Sequence, residues 1–486
     1  MNLWRQLDRI APRTGAQRTM LVVLSRAALI VAVSLATLFM FSFGDQHGQS
    51  ATHLAGHFLS NLLVLSVFAG TLALYRPQLY QSFRAVALFA LLFLGVLVVA
   101  AAVARSETPH VEFIPIAMMG ILLSVLFDPR VSVFAALVLA TLIDIQPAYH
   151  GTDAPFILLV GGVAAAFSVR VIRRRDQYFF SILVTATAYV MAEIAIGLTN
   201  AWPARQIWWG ILFGVGNAVV SVALAIMLLP TLEELTGVDT YLKLLEWSDL
   251  NRPLMQRLSV EAPGTFAHSM RLANLAEAAC NAIGANGLLA RVGAYYHDIG
   301  KLKKPEYFVE NQPRGRNPHD KLKPATSAAI IRNHVREGLE LAAENNIPAG
   351  VRSFITEHHG TAPITYFLEK AKERDGGAPA NPADFAYPGP IPQSAETAIC
   401  MLGDGIEASA HVLHDPTPAK IREVVDHIVR QRIDQGQLRD APLTLKQLEV
   451  IKEQFARVLV GMYHHRIDYP TTGGGVTSEF ASVSTT

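Results

Sequence analysis

The sequence predicts an all-α protein in two parts, a polytopic helical membrane domain followed by a soluble helical domain. Residues 20–230 are overwhelmingly apolar and divide into segments of about the length that crosses a bilayer as a helix. After residue 230, apolar residues recur at helical spacing, with clusters of Gly, Pro and Asn between the helical stretches. No alternating pattern typical of strands competes with them. We therefore expect helices in both halves.

Length, charge and cysteine content narrow the classes of protein. At 486 residues the chain is longer than one ordinary domain. The formal net charge of +1 argues against a surface that coats a nucleic-acid polymer. Cys280 and Cys400 are the two cysteines, so neither a disulfide framework nor a thiolate metal site is expected. A reducing cytosol around the second half agrees with this composition.

Eight apolar segments predict eight membrane helices. Several are close to the minimum of about 17 residues for a span, and the fourth and fifth together also fit a helical hairpin. The segments are residues 20–43, 54–75, 85–104, 112–127, 131–148, 155–169, 178–199 and 208–230.

The charges of the loops predict the orientation in the membrane. With the N-terminus in the cytosol, only Arg105 and Arg205 among the loop arginines lie outside. An even number of spans then returns the chain to the cytosol. No small-residue cleavage site follows the first segment, so we expect a retained anchor and not a signal peptide. The cytosolic arginines are Arg5, Arg9, Arg13, Arg18, Arg76, Arg84, Arg130, Arg170, Arg173, Arg174 and Arg175.

Among the polar side chains inside the predicted spans, we single out His57, Asp144 and Glu193. Ionisable groups at membrane depth often serve a function, but Asp144 and Glu193 fall in the outer halves of their helices and can equally reach the interface. The short link from Gly44 to His53 joins the first two spans, so no folded external domain is expected between them.

The same patterns predict the domain boundaries and the helices of the second half. The predicted parts are a cytosolic N-terminus (1–19), the membrane domain (20–230), a helical linker (231–262), the soluble helical domain (263–470) and a disordered tail (471–486). The predicted soluble helices are 266–283, 287–299, 323–345, 349–358, 363–374, 393–411, 417–433 and 444–465.

A set of histidines and aspartates in the soluble half has the composition of a two-metal hydrolase centre. Five imidazoles and two carboxylates can hold two divalent cations and a bridging water. Successive residues on a helix diverge by about 100 degrees, so an adjacent pair should serve two ions and not chelate one. Asp298 is the expected bridge, because a carboxylate can bind one metal with each oxygen. The candidate ligands are His268, His297, Asp298, His334, His358, His359 and Asp404.

Such a centre predicts hydrolysis of a phosphodiester. Neutral imidazoles carry no charge, so two carboxylates against two dications leave a positive surplus for a hydroxide and a phosphate. We predict Asp298 and Lys301 as catalytic residues. Lys301, one turn after His297, is placed to steady phosphate oxygens, and the alternative is a surface lysine beside Lys303 and Lys304.

Eight short segments carry a further signal. They are Glu261-Ala-Pro-Gly-Thr-Phe-Ala-His268-Ser, Ile283-Gly-Ala-Asn, Arg291-Val-Gly-Ala-Tyr-Tyr-His-Asp-Ile-Gly-Lys301, Glu310-Asn-Gln, Asn317-Pro-His, His358-His-Gly-Thr361, Tyr387-Pro-Gly-Pro390 and Ser394-Ala-Glu-Thr397. Together they resemble the seven-transmembrane receptor HD family, closely over residues 261–408 and loosely over the membrane half.

The resemblance implies a helical HD-superfamily phosphohydrolase domain that holds two iron or manganese ions and opens cyclic di-AMP to linear pApA. It implies the same seven ligands by position. It also implies a bacterial inner membrane with the HD domain in the cytosol. The implied partners are cyclic di-AMP and the lipid bilayer, without a nucleic-acid polymer, and a homodimer and regulation through the membrane domain are left open.

Two features depart from the family pattern. Family members typically carry a sizeable external domain between the first two spans, which the link from Gly44 to His53 replaces, so external ligand sensing by such a domain is not expected. The family's tandem histidine before the first serine is here Ala267-His268, which keeps the ligand but removes a neighbour.

Other functions share this metal chemistry. A cyclic di-GMP phosphodiesterase of the HD-GYP kind carries a Gly-Tyr-Pro triplet shortly after its paired histidines, and none follows His358-His359 here. The residues alone do not exclude a nucleotide phosphohydrolase. A receptor that binds nucleotide without turnover predicts a missing ligand, and all seven ligands are present.

Several side chains are candidates for contacts with the bases and phosphates of a nucleotide. Aromatic residues at helical spacing are more often core. The candidates for stacking are Tyr295, Tyr296, Tyr307, Phe308 and Tyr366, and those for phosphate are Arg291, Arg314 and Arg316.

Overall fold

The computed structural model describes residues 15–42, 50–107, 110–169, 176–312, 317–374 and 381–463. The chain forms two compact units, residues 1–244 and 245–486. Over the described residues both units are helical, and the extended structure is one isolated bridge between Pro363 and Ala386. The all-α prediction is confirmed.

The first unit is a bundle of apolar helices, and a described helix overlaps each of the eight predicted segments. Five stretches have the length and apolarity of a membrane span: Thr19–Ser42, Ala51–Tyr75, Phe83–Ala104, Gln177–Thr199 and Ala204–Thr236. The helices are α1 (Gly15–Ser42), α2 (Ala51–Tyr75), α3 (Pro77–Gln81), α4 (Phe83–Ala104), α5 (Ile116–Leu126), α6 (Pro129–Asp144), α7 (Ala154–Ser168), α8 (Asp176–Thr199) and α9 (Ala204–Thr236).

Three helices of this unit are shorter than the sequence predicts for full spans. Helices α5, α6 and α7 have 11, 16 and 15 residues. At about 1.5 Å per residue, α5 is far shorter than the hydrocarbon core of about 30 Å. Nine of its eleven residues are buried, so α5 belongs to the core of the unit. Asp128 joins α5 closely to α6 and caps it, accepting hydrogen bonds from the backbone N–H groups of Arg130 (2.8 Å) and Val131 (3.1 Å), which fits the predicted hairpin alternative.

Helix α9 continues past the predicted end of the last apolar segment. The sequence placed that end at Pro230, yet Pro230 lies inside α9, which ends at Thr236. Helix α9 ends there because Gly237 has a φ of +73°, the left-handed conformation that terminates helices. The predicted linker therefore starts as a continuation of α9, followed by α10 (Tyr241–Trp247) and α11 (Pro253–Glu261).

The second unit is built around α12, which packs against α13, α17 and α19. Its buried face includes Leu272, Leu275 and Ala276. Helix α17 begins with a reciprocal capping box between Ser394 and Thr397. The helices are α12 (Pro263–Ala282), α13 (Gly287–Tyr296), α14 (Pro324–Glu344), α15 (Ala349–Glu357), α16 (Thr365–Arg374), α17 (Ala395–His411), α18 (Pro418–Asp434) and α19 (Leu445–Tyr463).

A close packing contact joins the turn after α13 to α14. The predicted helix 287–299 ends at Tyr296, and residues Ile299–Lys303 form a 3-10 turn. A Cβ on Gly300 of this turn would lie 1.9 Å from the carbonyl oxygen of His334. Only glycine allows the two backbones to approach this closely, and the approach sets the distance between Asp298 and His334.

Gly300→Ala is expected to lower the melting temperature of the full chain, because the clash is with backbone that cannot move aside. Overpacking of this kind costs about 1–3 kcal/mol. Differential scanning fluorimetry of the protein in detergent measures the change. Gly461→Ala is the matched control, since a Cβ there meets nothing within 4 Å and α19 gains a better helix former. Equal melting temperatures for Gly300→Ala and the native protein would contradict this account.

Candidate metal centre

The seven predicted ligands converge within the second unit. His268 lies in α12, His334 in α14 and Asp404 in α17. The pair His297–Asp298 follows α13, and the pair His358–His359 follows α15. The side chains are buried except for partial exposure of 19% at His359 and 14% at Asp404. The cluster is therefore open to solvent on the side of these two residues.

The two adjacent pairs lie at helix ends and not within helices. The prediction that the two residues of each pair diverge as neighbours within a helix is therefore wrong, because neither pair lies within a helix. His297 caps α13, and Asp298 has already left the helical conformation, with φ of −111° and ψ of 16°. His358 likewise caps α15. His358 and His359 nevertheless belong to one group of ligand atoms that lie within 4.8 Å of one another, so the expectation that the two members of a pair serve different ions is not met there.

The Asp298 carboxylate is shared by two groups of possible metal ligands. One group contains Asp298 with His334, His358 and His359, the other contains Asp298 with His268 and His297, and the ligand atoms of each group lie within 4.8 Å of one another. Oδ1 lies 3.3 Å from His334 Nε2 and 3.6 Å from His358 Nε2. Oδ2 lies 3.1 Å from His297 Nε2. One oxygen faces each group, which is the arrangement a bridging carboxylate needs.

Asp404, on α17, also lies close to histidines of both groups. Its Oδ1 lies 3.0 Å from His268 Nε2 and 3.9 Å from His297 Nε2. Its Oδ2 lies 3.6 Å from His359 Nδ1. This second carboxylate therefore also offers one oxygen to each side.

Backbone carbonyls fix the orientation of three imidazoles. The Nδ1 atoms of His297, His334 and His358 lie 2.8, 2.6 and 2.7 Å from the carbonyl oxygens of the residues three or four positions earlier. A carbonyl only accepts, so each Nδ1 donates and each Nε2 presents a lone pair to the cluster. This is the usual arrangement around histidines that bind metals.

The lone pairs at the centre lack hydrogen-bond donors. Nε2 of His334 and Nε2 of His358 face each other at 3.3 Å, although both Nδ1 atoms already carry the protons. Nε2 of His297 and Oδ1 of Asp298 are buried and have no hydrogen-bond partner among the described residues. Buried polar atoms are rarely left unsatisfied, and converging acceptors are satisfied by a cation. The residues therefore fit a metal centre.

The pKa shifts of His334, His359 and Asp298 favour the forms of these side chains that bind metal ions. Burial lowers the pKa of His334 to about 4. Burial and the neighbouring His358 hold the pKa of His359 well below its usual range. Burial alone would raise the pKa of Asp298, but His297 and Lys301 outweigh it and hold that pKa well below its usual range. Neutral imidazoles and an ionised carboxylate are the forms that bind metal ions.

His268 is oriented by Glu407, a residue that the sequence interpretation missed. Nδ1 of His268 hydrogen-bonds to Glu407 Oε2, and the other carboxylate oxygen of Glu407 pairs with Arg271. Burial opposes a charged His268, but the hydrogen bonds to Asp404 and Glu407 raise its pKa to about 10. Glu407 follows Asp404 by three positions on α17, so helical spacing could have identified it.

Lys301 is buried against carboxylates. Its Nζ lies 2.8 Å from Asp298 Oδ2 and 2.7 Å from Glu310 Oε1. Glu310 also accepts a hydrogen bond of 3.0 Å from the hydroxyl of Thr265. The alternative of a surface lysine is therefore wrong. The charge of Lys301 is directed at Asp298 and Glu310, and its predicted contact with phosphate stays a prediction.

Arg432 on α18 is a second residue that local sequence patterns did not indicate. Its Nη2 lies 3.8 Å from the position of a Cβ on Gly405, next to Asp404. Nη1 donates to Gln435 (3.1 Å), whereas Nε is buried without a hydrogen-bond partner among the described residues. Burial lowers the pKa of Arg432, against the opposing effect of Asp404. A guanidinium with an unsatisfied Nε thus lies near Gly405, the residue that follows Asp404 on α17.

Two further residues shape the loop after the paired histidines. The ring of Tyr387 stacks on His359 with 4.1 Å between centroids. The side chain of Gln437 accepts a hydrogen bond from the backbone N–H of Thr361 (3.0 Å) and donates one to its hydroxyl (3.1 Å). Neither contact could be found by spacing, because Gln437 is 76 residues from Thr361.

The candidates for base and phosphate contacts are mostly engaged elsewhere. Tyr295, Tyr296 and Phe308 are buried, and the hydroxyl of Tyr296 donates to the carbonyl of Trp247. Arg291 pairs with Glu277. The remaining aromatic candidates are Tyr307, packed on His319, and Tyr366, which is 63% exposed, while Arg314 and Arg316 lie outside the described residues.

Comparison with known families agrees with both units. Residues 265–409 match the HD domain family. The fold and the site thus define a membrane protein with an HD-class hydrolase domain, a class that depends on metal. Residues 51–240 match the family described as "7TM receptor with intracellular HD hydrolase". Residues 51–240 thus belong to the membrane domain of this family, and residues 265–409 supply the HD domain that its description names. Seven helices of ten or more residues are described between residues 51 and 240, in agreement with that name.

Two curated relatives are each named cyclic-di-AMP phosphodiesterase PgpH. The Bacillus subtilis protein is 34% identical over 425 residues, 84% of this chain and 59% of the relative. The Listeria monocytogenes protein is 35% identical over 362 residues, 73% of this chain and 50% of the relative. The chain thus spans 50% to 59% of the length of these relatives.

Among solved structures, the HD domain of L. monocytogenes PgpH in complex with cyclic di-AMP is similar to this chain. The two share 44% sequence identity, with 45% of this chain and 100% of that chain covered and a TM-score of 0.43.

Glu407→Gln is expected to weaken metal binding, because His268 loses the carboxylate that orients it. Loss of such a partner typically reduces affinity by about 10- to 100-fold. Metal bound per chain, measured by mass spectrometry after dialysis against graded free Mn²⁺, gives the result. Glu423→Gln removes an exposed carboxylate from α18 and is the control. Identical Mn²⁺ titrations for native protein and Glu407→Gln would refute the role of Glu407.

Proposed function

We propose that this protein is a metal-dependent phosphodiesterase that hydrolyses cyclic di-AMP to linear pApA. The observation that carries the proposal is the pair of ligand groups that share Asp298. Paired sites of this kind are typical of phosphoester hydrolases. The substrate is proposed from the names of the two relatives at 34% and 35% identity.

We infer that the seven candidate residues hold two divalent ions, iron or manganese. The donors are imidazole nitrogens and carboxylate oxygens, which suit these metals. When bound, two such ions depress the pKa of a water between them and polarise phosphate oxygens. Asp298 and Asp404 direct one oxygen to each group and so fix the separation of the two positions. Lys301 holds the carboxylate of Asp298 through an ion pair of 2.8 Å with Oδ2.

Arg432 is the residue that we propose for the substrate phosphate. The described cations nearest the cluster differ in their partners. Lys301 is bound by Asp298 and Glu310, and Arg271 is bound by Glu407. Arg432 has an amide partner and no carboxylate partner within the described chain, so its charge is available to an anion.

The proposal also places the HD domain, residues 263–470, on the cytosolic side of a bacterial inner membrane. The support is the excess of arginine in the loops predicted to be internal, together with an even number of spans. The lipid bilayer is the partner of the first unit, whose long helices expose large apolar side chains such as Phe39, Leu63 and Leu198.

Full-length protein in detergent, loaded with Mn²⁺ or Fe²⁺, is expected to convert cyclic di-AMP to pApA. His297→Ala and Asp298→Ala should abolish turnover, because each removes a ligand. Liquid chromatography of the products measures the reaction, and His427→Ala is the control, as an exposed histidine of α18. Preference for cyclic di-GMP, or cleavage of mononucleotides alone, would overturn the assignment of cyclic di-AMP as the substrate. Absence of turnover at any metal loading would refute the proposal that the protein is an enzyme.

Arg432→Gln is expected to raise the KM for cyclic di-AMP with little change in kcat, because the contact is to a phosphate that is charged before and during the reaction. Loss of a charge-assisted hydrogen bond of this kind corresponds to a rise in KM of about 10- to 100-fold. Arg430→Gln removes an exposed charge two residues away and is the matched control. Unchanged KM in Arg432→Gln, at equal metal content, would rule out the contact.

A further inference from the structure

A cavity of about 820 Å³ lies at one end of the first unit, apart from the metal centre. Its walls include two glutamates, Glu112 and Glu193, and three aromatic residues, Tyr149, Trp202 and Trp209. Nothing in the metal chemistry of the second unit uses these side chains. Glu193 is one of the polar residues that the sequence placed inside a predicted span.

The carboxylate of Glu193 is fully buried and lines the cavity. Its exposure is 0%, and neither oxygen has a hydrogen-bond partner among the described residues. Glu112 is 6% exposed, and its Oε2 also lacks a hydrogen-bond partner there. Burying even one unpaired carboxylate is costly, and two that face each other repel as well. Such a pair is stabilised by a bound cation or by a proton shared between the two carboxyl groups.

The two carboxylates are close together. A Cβ placed on Gly210 would lie 2.3 Å from Glu193 Oε2 and 3.1 Å from Glu112 Oε1. Both oxygens therefore lie within 3.1 Å of one point. Gly210 lines the cavity at that point, and the absence of a side chain there leaves room for both carboxylates.

The turn that carries Glu112 is anchored to α9. Residues Val111–Phe113 form a 3-10 turn before α5. The side-chain amide of Asn217 donates hydrogen bonds to the carbonyl oxygens of Glu112 and, at 3.1 Å, Ile114. Asn217 in turn accepts from Ser221 at 2.8 Å. The position of Glu112 is thus set by a buried polar network and not by a free loop.

Among the described residues, no side chain forms a close ion pair with either carboxylate. His110 Nδ1 lies 3.7 Å from Glu112 Oε2, at the edge of ion-pair distance and outside hydrogen-bond distance. Arg205 in the cavity wall is exposed and forms no ion pair with either carboxylate over the described residues. The described clusters of at least three metal-ligating side chains both lie in the second unit, which argues against a metal ion here.

We propose that this cavity binds an organic cation, with its ammonium group between Glu112 and Glu193. The size of the cavity suits a small organic molecule better than a bare ion. Trp202, Trp209 and Tyr149 supply aromatic surface, which attracts organic ammonium groups through their π faces. The carboxylates supply the charge, and Gly210 supplies the space.

The place of the cavity in the chain fits a ligand that arrives from outside the cell. Its residues come from the ends of helices next to the loops that contain Arg105 and Arg205, which the charge pattern predicts to be external. The cavity is also at the beginning of α9, the last long helix before the second unit in the sequence. A ligand here could thus be sensed without a separate external domain.

Binding is tested with the full chain in nanodiscs, with choline, ethanolamine and spermidine as probes. Tryptophan fluorescence and the melting temperature are recorded against concentration. The neutral isostere 3,3-dimethylbutanol and Mg²⁺ are the comparison ligands. At least one amine should bind, with at least a tenfold weaker apparent affinity in Glu193→Gln and in Glu112→Gln. Glu107→Gln, an exposed carboxylate of the loop before Glu112, should match the native protein.

The same variants give a second readout without ligand. Glu193→Gln should raise the melting temperature at neutral pH, because it removes the repulsion between two buried carboxylates. The proposal is overturned if no amine binds, if Mg²⁺ or the neutral isostere acts equally well, or if both glutamine variants bind as the native protein does. A melting temperature that responds to lowered pH but to no amine would assign the site to a shared proton instead. None of these readouts involves hydrolysis, so they stand apart from the proposed phosphodiesterase.

Discussion

The burial of one carboxylate, Asp298, is the constraint on which the second unit depends. The side chain is 2% exposed, and its two oxygens face two different groups of histidines. An isolated ionised carboxylate in such a place would be strongly destabilising. Lys301 offsets part of this cost at Oδ2, while Oδ1 has no hydrogen-bond donor among the described residues. Five helices of the second unit therefore place ligand side chains around positions that suit cations.

Helix ends solve the geometric part of this problem. The last carbonyl groups of a helix have no intrahelical partner, so they are free to accept other hydrogen bonds. His297 Nδ1 donates to the carbonyl of Ala294 near the end of α13. His358 Nδ1 donates to the carbonyl of Phe354 near the end of α15, and that carbonyl also accepts the backbone N–H of His358 (3.2 Å). Each helix thus orients the imidazole at its own terminus. After His297 the next residue, Asp298, leaves the helical path, and its carboxylate belongs to both groups of ligands.

The sequence predicted the ligand types and the helical fold because both are local properties. Helical spacing and turn residues indicated every helix near the site, and the ligands fall at recognisable positions. What it could not predict depends on contacts between distant residues. The partners of Lys301 and the approach of Arg432 to Gly405 require the packed fold. The prediction of helical divergence at His297–Asp298 was wrong for a related reason, since helix termination there is enforced by packing of Gly300 on α14.

The first unit shows the same limit. Hydropathy located all eight apolar segments, yet length and burial separate α5, α6 and α7 from the longer helices. The pairing of Glu193 with Glu112 joins residues 81 positions apart, so the isolated Glu193 could be read as an interfacial residue. The folded structure brings the buried carboxylates of Glu193 and Glu112 together beside Gly210, which the position of Glu193 in its helix could not indicate.

Charge balance distinguishes the roles of the cations around the metal centre. Lys301 lies between two carboxylates, and Arg271 lies on a third, so neither offers uncompensated charge. His359 and Asp404 are the partly exposed ligands, and we propose that a phosphate substrate enters on their side. Arg432, whose Nη2 lies 3.8 Å from a Cβ position on Gly405, has a buried Nε without a hydrogen-bond partner among the described residues. Lys301 thus stabilises the carboxylate of Asp298, and Arg432 is the charge that we propose for the phosphate, although the sequence pattern alone had assigned that contact to Lys301.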